Sequence, residues 1–227
     1  MLKKAFTMIE LVVVIVVIGI LAAMAIPRLE RDNLAEAVDQ IVSHIRYTQH
    51  LAMQDNKFVN NDNNWHRRRW SIFFSNANVC NEGNSWRYNI YFDNDNVTAG
   101  TFSGGPNSEN EIARDPQYQD KFMSAGWAGA SNAQCRNMSS KYDIGRRFGV
   151  TNVALGGICQ GDPKNPSLTI SFDEFGRPMQ EASIAASRPY QRIVRSGQVC
   201  TIAITASGKN AIINLAPETG FISITYL

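Results

Sequence analysis

Histidine is scarce in this chain, three in 227 residues, and two of the three, His44 and His50, fall on one helical stretch. That leaves little for general acid–base chemistry. The compact catalytic signatures are missing too: no GxSxG elbow, no HExxH, no P-loop and no glycine-rich dinucleotide fingerprint. None of the four cysteines stands in CxxC spacing, which removes the common zinc arrangements. Neither sign of charge is in excess. With 22 basic and 20 acidic residues the net charge is +2, so the whole chain has no bias toward nucleic acid or anionic lipid. These absences argue against an enzyme, a metal or a cofactor and point to a structural part.

One absence is local. Between Leu11 and Ile26 no residue is charged, and only Gly19 interrupts the apolar side chains. Residues 6–26 number 21. At about 1.5 Å per residue a helix of that length spans roughly 31 Å, close to the hydrocarbon thickness of a bilayer. Lys3 and Lys4 precede it, so the short N-terminus stays cytoplasmic and the rest lies across the membrane. In a bacterium that is the periplasm or beyond. A secretory signal peptide is the competing reading, and Ala23-Met24-Ala25 resembles its cleavage site. The run is long for such a peptide, and Glu10 interrupts its beginning. A carboxylate within a membrane helix costs about 2.5–3.5 kcal/mol on insertion scales, so it comes with a partner or a function.

Residues 3–11, KKAFTMIEL, resemble the class III leader of type IV pilins and type II secretion pseudopilins. The resemblance implies a prepilin peptidase cut between Ala5 and Phe6, then methylation of the new N-terminal Phe6. Glu10 becomes the fifth residue of the mature chain, where the family has its glutamate. Gly19 and Pro27 fall where the family has its helix glycine and proline. One position departs: the family has Gly before the cut and this chain has Ala5, which implies slower processing. Cleavage frees an α-amine on Phe6. As helices pack into a filament, Glu10 of one subunit meets the Phe6 amine of a neighbour. Two charges that are each costly in an apolar bundle then offset each other, but only in register. Glu10 is thus an assembly determinant; the bland alternative is a carboxylate that snorkels to water. The family's extreme tip subunit typically lacks this glutamate, which implies a place below the tip.

The helical pattern continues past Pro27, where a kink is expected. Leu34, Val38, Ile41, Ile45 and Thr48 recur at helical spacing, with Ala37, Leu51 and Ala52 on the same side. Arg31, Glu36, Asp39, Arg46 and Gln49 take other faces. This predicts an amphipathic helix to about residue 56 whose stripe packs on the soluble domain. His44 and His50 are expected to be solvated or capping. Strand-like runs follow at residues 70–74 (WSIFF), 86–92 (WRYNIYF), 168–172, 199–206, 211–215 and 221–226. Short turns at 207–210 and 217–220 favour antiparallel hairpins. Residues 93–142 read as loop-like, with room for short helices or strands that the sequence does not place. The fold class is α+β: a long N-terminal helix, transmembrane then amphipathic, packed on an antiparallel sheet or small sandwich, pilin-like by the resemblance. The expected division is a leader at 1–5, a transmembrane helix at 6–26, its amphipathic continuation at 27–56, and a β-rich periplasmic or extracellular domain at 57–227.

Three later segments, ISFDEFGRP (170–178), ITASGK (204–209) and PETGFI (217–222), resemble the GspH/FimT-like pseudopilin group. The middle region, about 60–165, resembles no family and is where this chain's own specificity is expected. There, Trp65-His66-Arg67-Arg68-Arg69-Trp70 is basic and flanked by aromatics. It suits contact with DNA phosphates and base stacking, or else a turn whose arginines pair with nearby acids. Asp93-Asn94-Asp95-Asn96 suggests calcium, but the EF-hand pattern fails because Val97 takes the third ligand position and no Gly follows it. A polar turn is the better reading. Cys80, Cys135, Cys159 and Cys200 form an even set beyond a membrane segment, which suggests one or two disulfides in an oxidising compartment. Their three pairings stay open.

Three functions fit these residues. The leading one is a minor pilin or pseudopilin in the bacterial inner membrane, assembled into a type II secretion pseudopilus or type IV pilus. Its implied partners are other pilins or pseudopilins, the prepilin peptidase, an inner-membrane assembly platform and membrane lipid. It takes no cofactor, and ATP hydrolysis resides in the partner machinery. The second is a pilus-linked DNA receptor working through Arg67, Arg68 and Arg69. The third is a periplasmic enzyme behind an ordinary signal.

Overall fold

The computed structural model describes residues 7–25, 32–55, 57–94, 102–184 and 186–227. The chain divides into two units, Met1–Asp32 and Asn33–Leu227. The first contains helix α1, Met8–Ala25. Apart from Glu10 its side chains are apolar and it has no proline; Gly19 and the β-branched run from Val12 to Ile18 are weaker helix formers than the leucines and alanines around them. Every large apolar side chain from Met8 to Leu21 is exposed, from 46% at Val12 to 88% at Met8. Among the described residues no helix is long and apolar enough to cross a membrane. The helix has 18 residues, and Phe6 and Ile26, the ends of the span expected from the sequence, lie outside the described residues. So do Ala5 and Pro27, and with them the expected cut and kink.

The second unit is built on α2, Asn33–Gln54. Leu34, Ala37, Val38, Ile41, Ile45, Thr48 and Ala52 are buried as their spacing predicts, while Leu51 is only partly covered. The stripe lies across two antiparallel four-stranded sheets. The first has the order β2-β1-β6-β7, with β1 Trp70–Ser75, β2 Arg87–Phe92, β6 Thr169–Phe172 and β7 Pro178–Gln180. The second has the order β10-β9-β8-β3, with β3 Val150–Gly157, β8 Cys200–Ala206, β9 Lys209–Leu215 and β10 Ile222–Tyr226. Between β3 and β6 lies a two-residue hairpin pair, β4 Gly161–Asp162 and β5 Asn165–Pro166. The α+β class expected from the sequence is the observed one.

The second sheet alternates cleanly. Cys200, Ile202, Ile204 and Ala206 of β8 face the core, as do Ala211, Ile213 and Leu215 of β9. Ser207 and Gly208 between them both have positive φ, 51° and 74°, the backbone a tight two-residue hairpin needs to match strand twist. The first sheet does not alternate because both its faces are covered. Ile72, Phe74, Tyr88 and Ile90 join the main core with α2. Phe73 and Tyr91, on the opposite face, join a second cluster with Ile112, Phe122 and Trp127.

That second cluster shows how the loop-like stretch 93–142 is ordered. The described part of this segment forms a covering layer. It carries helix α3, Asn132–Asn137, and it pairs with the outer edge of β2 through Asn89–Ser124 and Tyr91–Ile112 bridges. The edge strand is thereby shielded. Helix α4, Ile144–Phe148, then leads into β3. The layer is stapled by a Cys80–Cys135 disulfide with Cα atoms 5.8 Å apart, and β3 is tied to β8 by Cys159–Cys200 at 5.1 Å. With the partners 55 and 41 positions apart in sequence, loop-closure entropy assigns roughly 4 kcal/mol of stabilisation to each.

Candidate functional site

Glu10 sits in the first turn of α1. Its Oε2 accepts hydrogen bonds from the Thr7 backbone N–H and the Thr7 hydroxyl, both at 2.8 Å, and the Thr7 hydroxyl accepts from the Glu10 N–H at 3.4 Å. This is a reciprocal capping box. It satisfies donors that a helix N-terminus otherwise leaves unmet. The T-x-x-E spacing is present in the sequence, and Thr7 is the residue that a reading centred on the charge misses. Among the described residues no basic group pairs with Glu10. Gly19 meets no other described part of the chain: beyond its own helix backbone and chain neighbours, a Cβ built there would find no described atom within 4 Å, although a mid-helix glycine costs about 1 kcal/mol against alanine.

Two of the three signature segments converge on α2. The Gln49 amide donates to the Gly176 carbonyl at 3.1 Å and to the Gly220 carbonyl at 2.9 Å. Gly220 has φ +65°, and a Cβ there would lie 2.3 Å from Gln49 Nε2 and 2.5 Å from Gly176 O, so only glycine fits. Asp173 closes the first turn, accepting from Phe175 N at 3.0 Å, Arg177 N at 2.8 Å and Arg177 Nε at 2.6 Å. The outcome is an exposed apolar trio, Met53, Phe175 and Phe221, around a shallow cavity of about 380 Å³. Such contiguous exposure is a mark of contact surfaces.

The arginine run is engaged inside the fold. Arg68 pairs with Asp62 and Arg69 with Glu174. Arg69 is 4% exposed, and its guanidinium lies 5.0 Å from the Trp65 ring centre and 5.6 Å from that of Tyr190. Arg67 donates to the Ser183 carbonyl and lies over the Phe102 ring at 4.2 Å. Arg68 and Arg69 thus pair with acids, as the second reading of the run expected, but Arg69 is buried rather than in a solvated turn. Beyond it, Arg146 turns to Glu82 and Arg192 to Gln180. In the expected polar turn Asp95 and Asn96 lie outside the described residues, while Asp93 accepts from the Gly104 N–H at 2.7 Å.

His44 is not solvated, contrary to expectation; His50 is exposed. The His44 Nδ1 lies 2.5 Å from the Tyr88 hydroxyl, and its ring stacks on Tyr142 at 5.1 Å. Gln40 donates to the Tyr88 hydroxyl at 2.8 Å, and Tyr142 donates to Asp115 at 3.2 Å. In the sequence His44 stands beside Ile45 on the stripe's edge, where only the long-range aromatic partners decide burial. Burial pushes its pKa down to about 4, with the Lys141 charge acting the same way and Asp115 opposing. The unfolded chain therefore binds a proton that the fold refuses. Stability should fall as pH drops through about 6.5 and level off near 4, by about 3 kcal/mol. Urea titrations of the protein and of His44→Gln between those limits should differ in slope; equal slopes would refute this assignment.

A family described as the prokaryotic N-terminal methylation motif matches residues 1–26. This is the motif of type IV prepilin-like proteins, and it covers both Glu10 and Gly19. No curated protein and no solved structure matches the chain.

Proposed function

We propose that this protein is a minor pilin or pseudopilin of the GspH/FimT-like group. It is made as an inner-membrane precursor, cut between Ala5 and Phe6, methylated on Phe6, and drawn into a short helical filament through its N-terminal helix. The observation that carries this is α1 within the methylation motif. From Met8 to Leu21 the helix is apolar all round and covered nowhere. A helix with that surface needs lipid or other helices on every side. Glu10 supplies the one charge for register, and Gly19, with no use inside the protomer, leaves room for a neighbour's close approach. Two disulfides suit a domain held in the periplasm, residues 57–227 with the amphipathic segment 27–56 leading to it. The work is mechanical rather than catalytic. The partners are other pilins or pseudopilins, the prepilin peptidase, the inner-membrane assembly platform and lipid. A role as DNA receptor loses its best residues, because Arg67, Arg68 and Arg69 are engaged within the chain.

Mass spectrometry of the mature protein tests the reading. The expected N-terminus is methylated Phe6. A chain beginning at Ile26 would assign it to signal peptidase and overturn the proposal.

A further inference from the structure

Three of the four outer edges of the two large sheets are blunted. β2 is bridged at Asn89 and Tyr91 by the covering layer, β7 is bridged at Met179 by Ile193, and β3 is interrupted by a bulge between Val150 and Asn152. The fourth edge is β10, which ends its sheet. Its residues, ISITY, carry no charge, no proline and no bulge, the devices by which edge strands are kept from pairing. The direction of its backbone groups follows from the ladder. Phe221 O accepts from Ala216 N at 2.8 Å, and Leu227 N donates to Asn210 O at 2.9 Å. In an antiparallel pair such exchanging residues alternate. The register runs unbroken from Ile222 opposite Leu215 to Tyr226 opposite Ala211, so Ser223 and Thr225 bond to β9. Ile222 and Ile224 therefore turn their N–H and C=O to the open side. Among the described residues no backbone hydrogen bond or bridge meets them there.

A row of alternating N–H and C=O groups specifies its own ligand, another extended peptide backbone. Two further features describe that segment's side chains. Helix α2 packs on β8 and β9, and Ile224, on the helix side of β10, is only partly covered. A strand laid against β10 turns every second side chain to that same side, so those residues should be apolar. At the Phe221 end of the strand lies the shallow cavity of about 380 Å³, whose wall joins Phe221 and Ile222 to Met53, Phe175 and Arg46. Met53, Phe175 and Phe221 are exposed and suit an apolar side chain. Arg46 is exposed and has no acidic partner among the described residues. We propose that β10 is a docking edge for an extended segment of another protein, apolar at alternate residues, free of proline, and bearing a carboxylate on the apolar face that pairs with Arg46. The edge belongs to the second unit and stands apart from the role proposed for α1.

The test follows hydrogen exchange at single amides of the full chain in detergent micelles. In the lone chain the Ile222 and Ile224 amides should exchange about tenfold or more faster than those of Ser223 and Thr225. The probe is acetyl-Glu-Thr-Val-Thr-Val-Thr-amide, raised to about 1 mM to reach weak sites. It should slow exchange at Ile222 and Ile224 saturably, by about threefold or more. Its analogue with proline in place of each threonine should not. Arg46→Glu should lose the protection and regain it from the same peptide with Lys in place of Glu. Ile224→Pro removes an outward N–H at an edge position, where proline is tolerated, and should abolish the response. Melting temperatures check the fold of both variants, and Arg46→Glu decides alone if Ile224→Pro does not fold. The proposal fails if Ile222 and Ile224 are already protected in the lone chain, or if the first peptide gives no saturable protection. It fails if the proline analogue protects equally, or if Arg46→Glu responds as the wild type does. It fails too if protection rises with protein concentration alone, which would make the occupant a second copy.

Discussion

Glu10→Leu is expected to drop out of the filament while its globular unit stays folded. The physical reason is the mismatch between this carboxylate and its surroundings. Among the described residues Glu10 is held by Thr7 alone, in a helix whose large apolar side chains are exposed from Met8 to Leu21. The capping contact is worth about 1 kcal/mol. Placing the charge in lipid costs about 2.5–3.5 kcal/mol, so capping by itself does not explain a carboxylate here. On the proposed reading a freed α-amine on a neighbouring Phe6 does, since it would repay that cost only in the assembled register. Leucine removes both contributions, and the fraction recovered in sheared filaments should fall at least tenfold. Glu10→Gln separates them. Glutamine still completes a capping box, but it carries no charge. If charge pairing drives assembly, the Glu10→Gln chain should fail nearly as badly as the Glu10→Leu chain. Recovery of Glu10→Gln at the wild-type level would leave capping as the whole role and end the pairing account.

The parts of the fold that could be read beforehand share one property: their pattern is local. The α2 stripe repeats every three or four residues from Leu34 to Ala52, and the β8–β9 hairpin alternates about a Ser207-Gly208 turn whose chemistry is written in two residues. The first sheet was harder. In WRYNIYF both faces end up buried, so alternation is erased and the aromatic content alone marks a strand. Strand β7 has three residues, too few for any period. The covering layer over β2 was unreadable because its order comes from partners far away, such as Phe122 and Trp127 packing on Tyr91. The same holds for the sites. Glu10 stood out because a charge in an apolar run is a local anomaly. Gln49 did not, because its meaning depends on two carbonyls 127 and 171 residues away. The arginine run left two readings open for the same reason: Arg69 finds Glu174 across 105 residues.

Arg87→Met is expected to destabilise the globular unit by about 3–5 kcal/mol, the cost typical of breaking a buried ion pair by removing one partner. Arg87 opens β2 and has no exposed surface. Its guanidinium donates to the carbonyls of Ser85, Ala125 and Gly83, each at 3.2 Å, and lies 3.6 Å from Asp143 Oδ2. Asp143 is itself buried. It takes the Ser85 hydroxyl and caps α4 by accepting from Arg146 N at 3.0 Å. One side chain thus joins the β1–β2 connection, the covering layer and the start of α4. Methionine fills similar volume but leaves a buried carboxylate short of charge and three carbonyls short of donors. Arg146→Met is the exposed comparison; its Nε lies 3.7 Å from Asp143 Oδ2 as well, so its cost also carries a share of that carboxylate's pairing. Its partner Glu82 is 2.7 Å away, both side chains are 48% exposed, and surface pairs of this kind contribute about 0–1 kcal/mol. Adding Asp143→Leu to Arg87→Met removes the stranded charge and should recover part of the loss, at the expense of the α4 cap. Urea unfolding at neutral pH reads all four chains. A cost below about 1 kcal/mol for Arg87→Met would mean that the covering layer holds itself in place by its disulfide and aromatic cluster alone, and that the buried guanidinium is incidental.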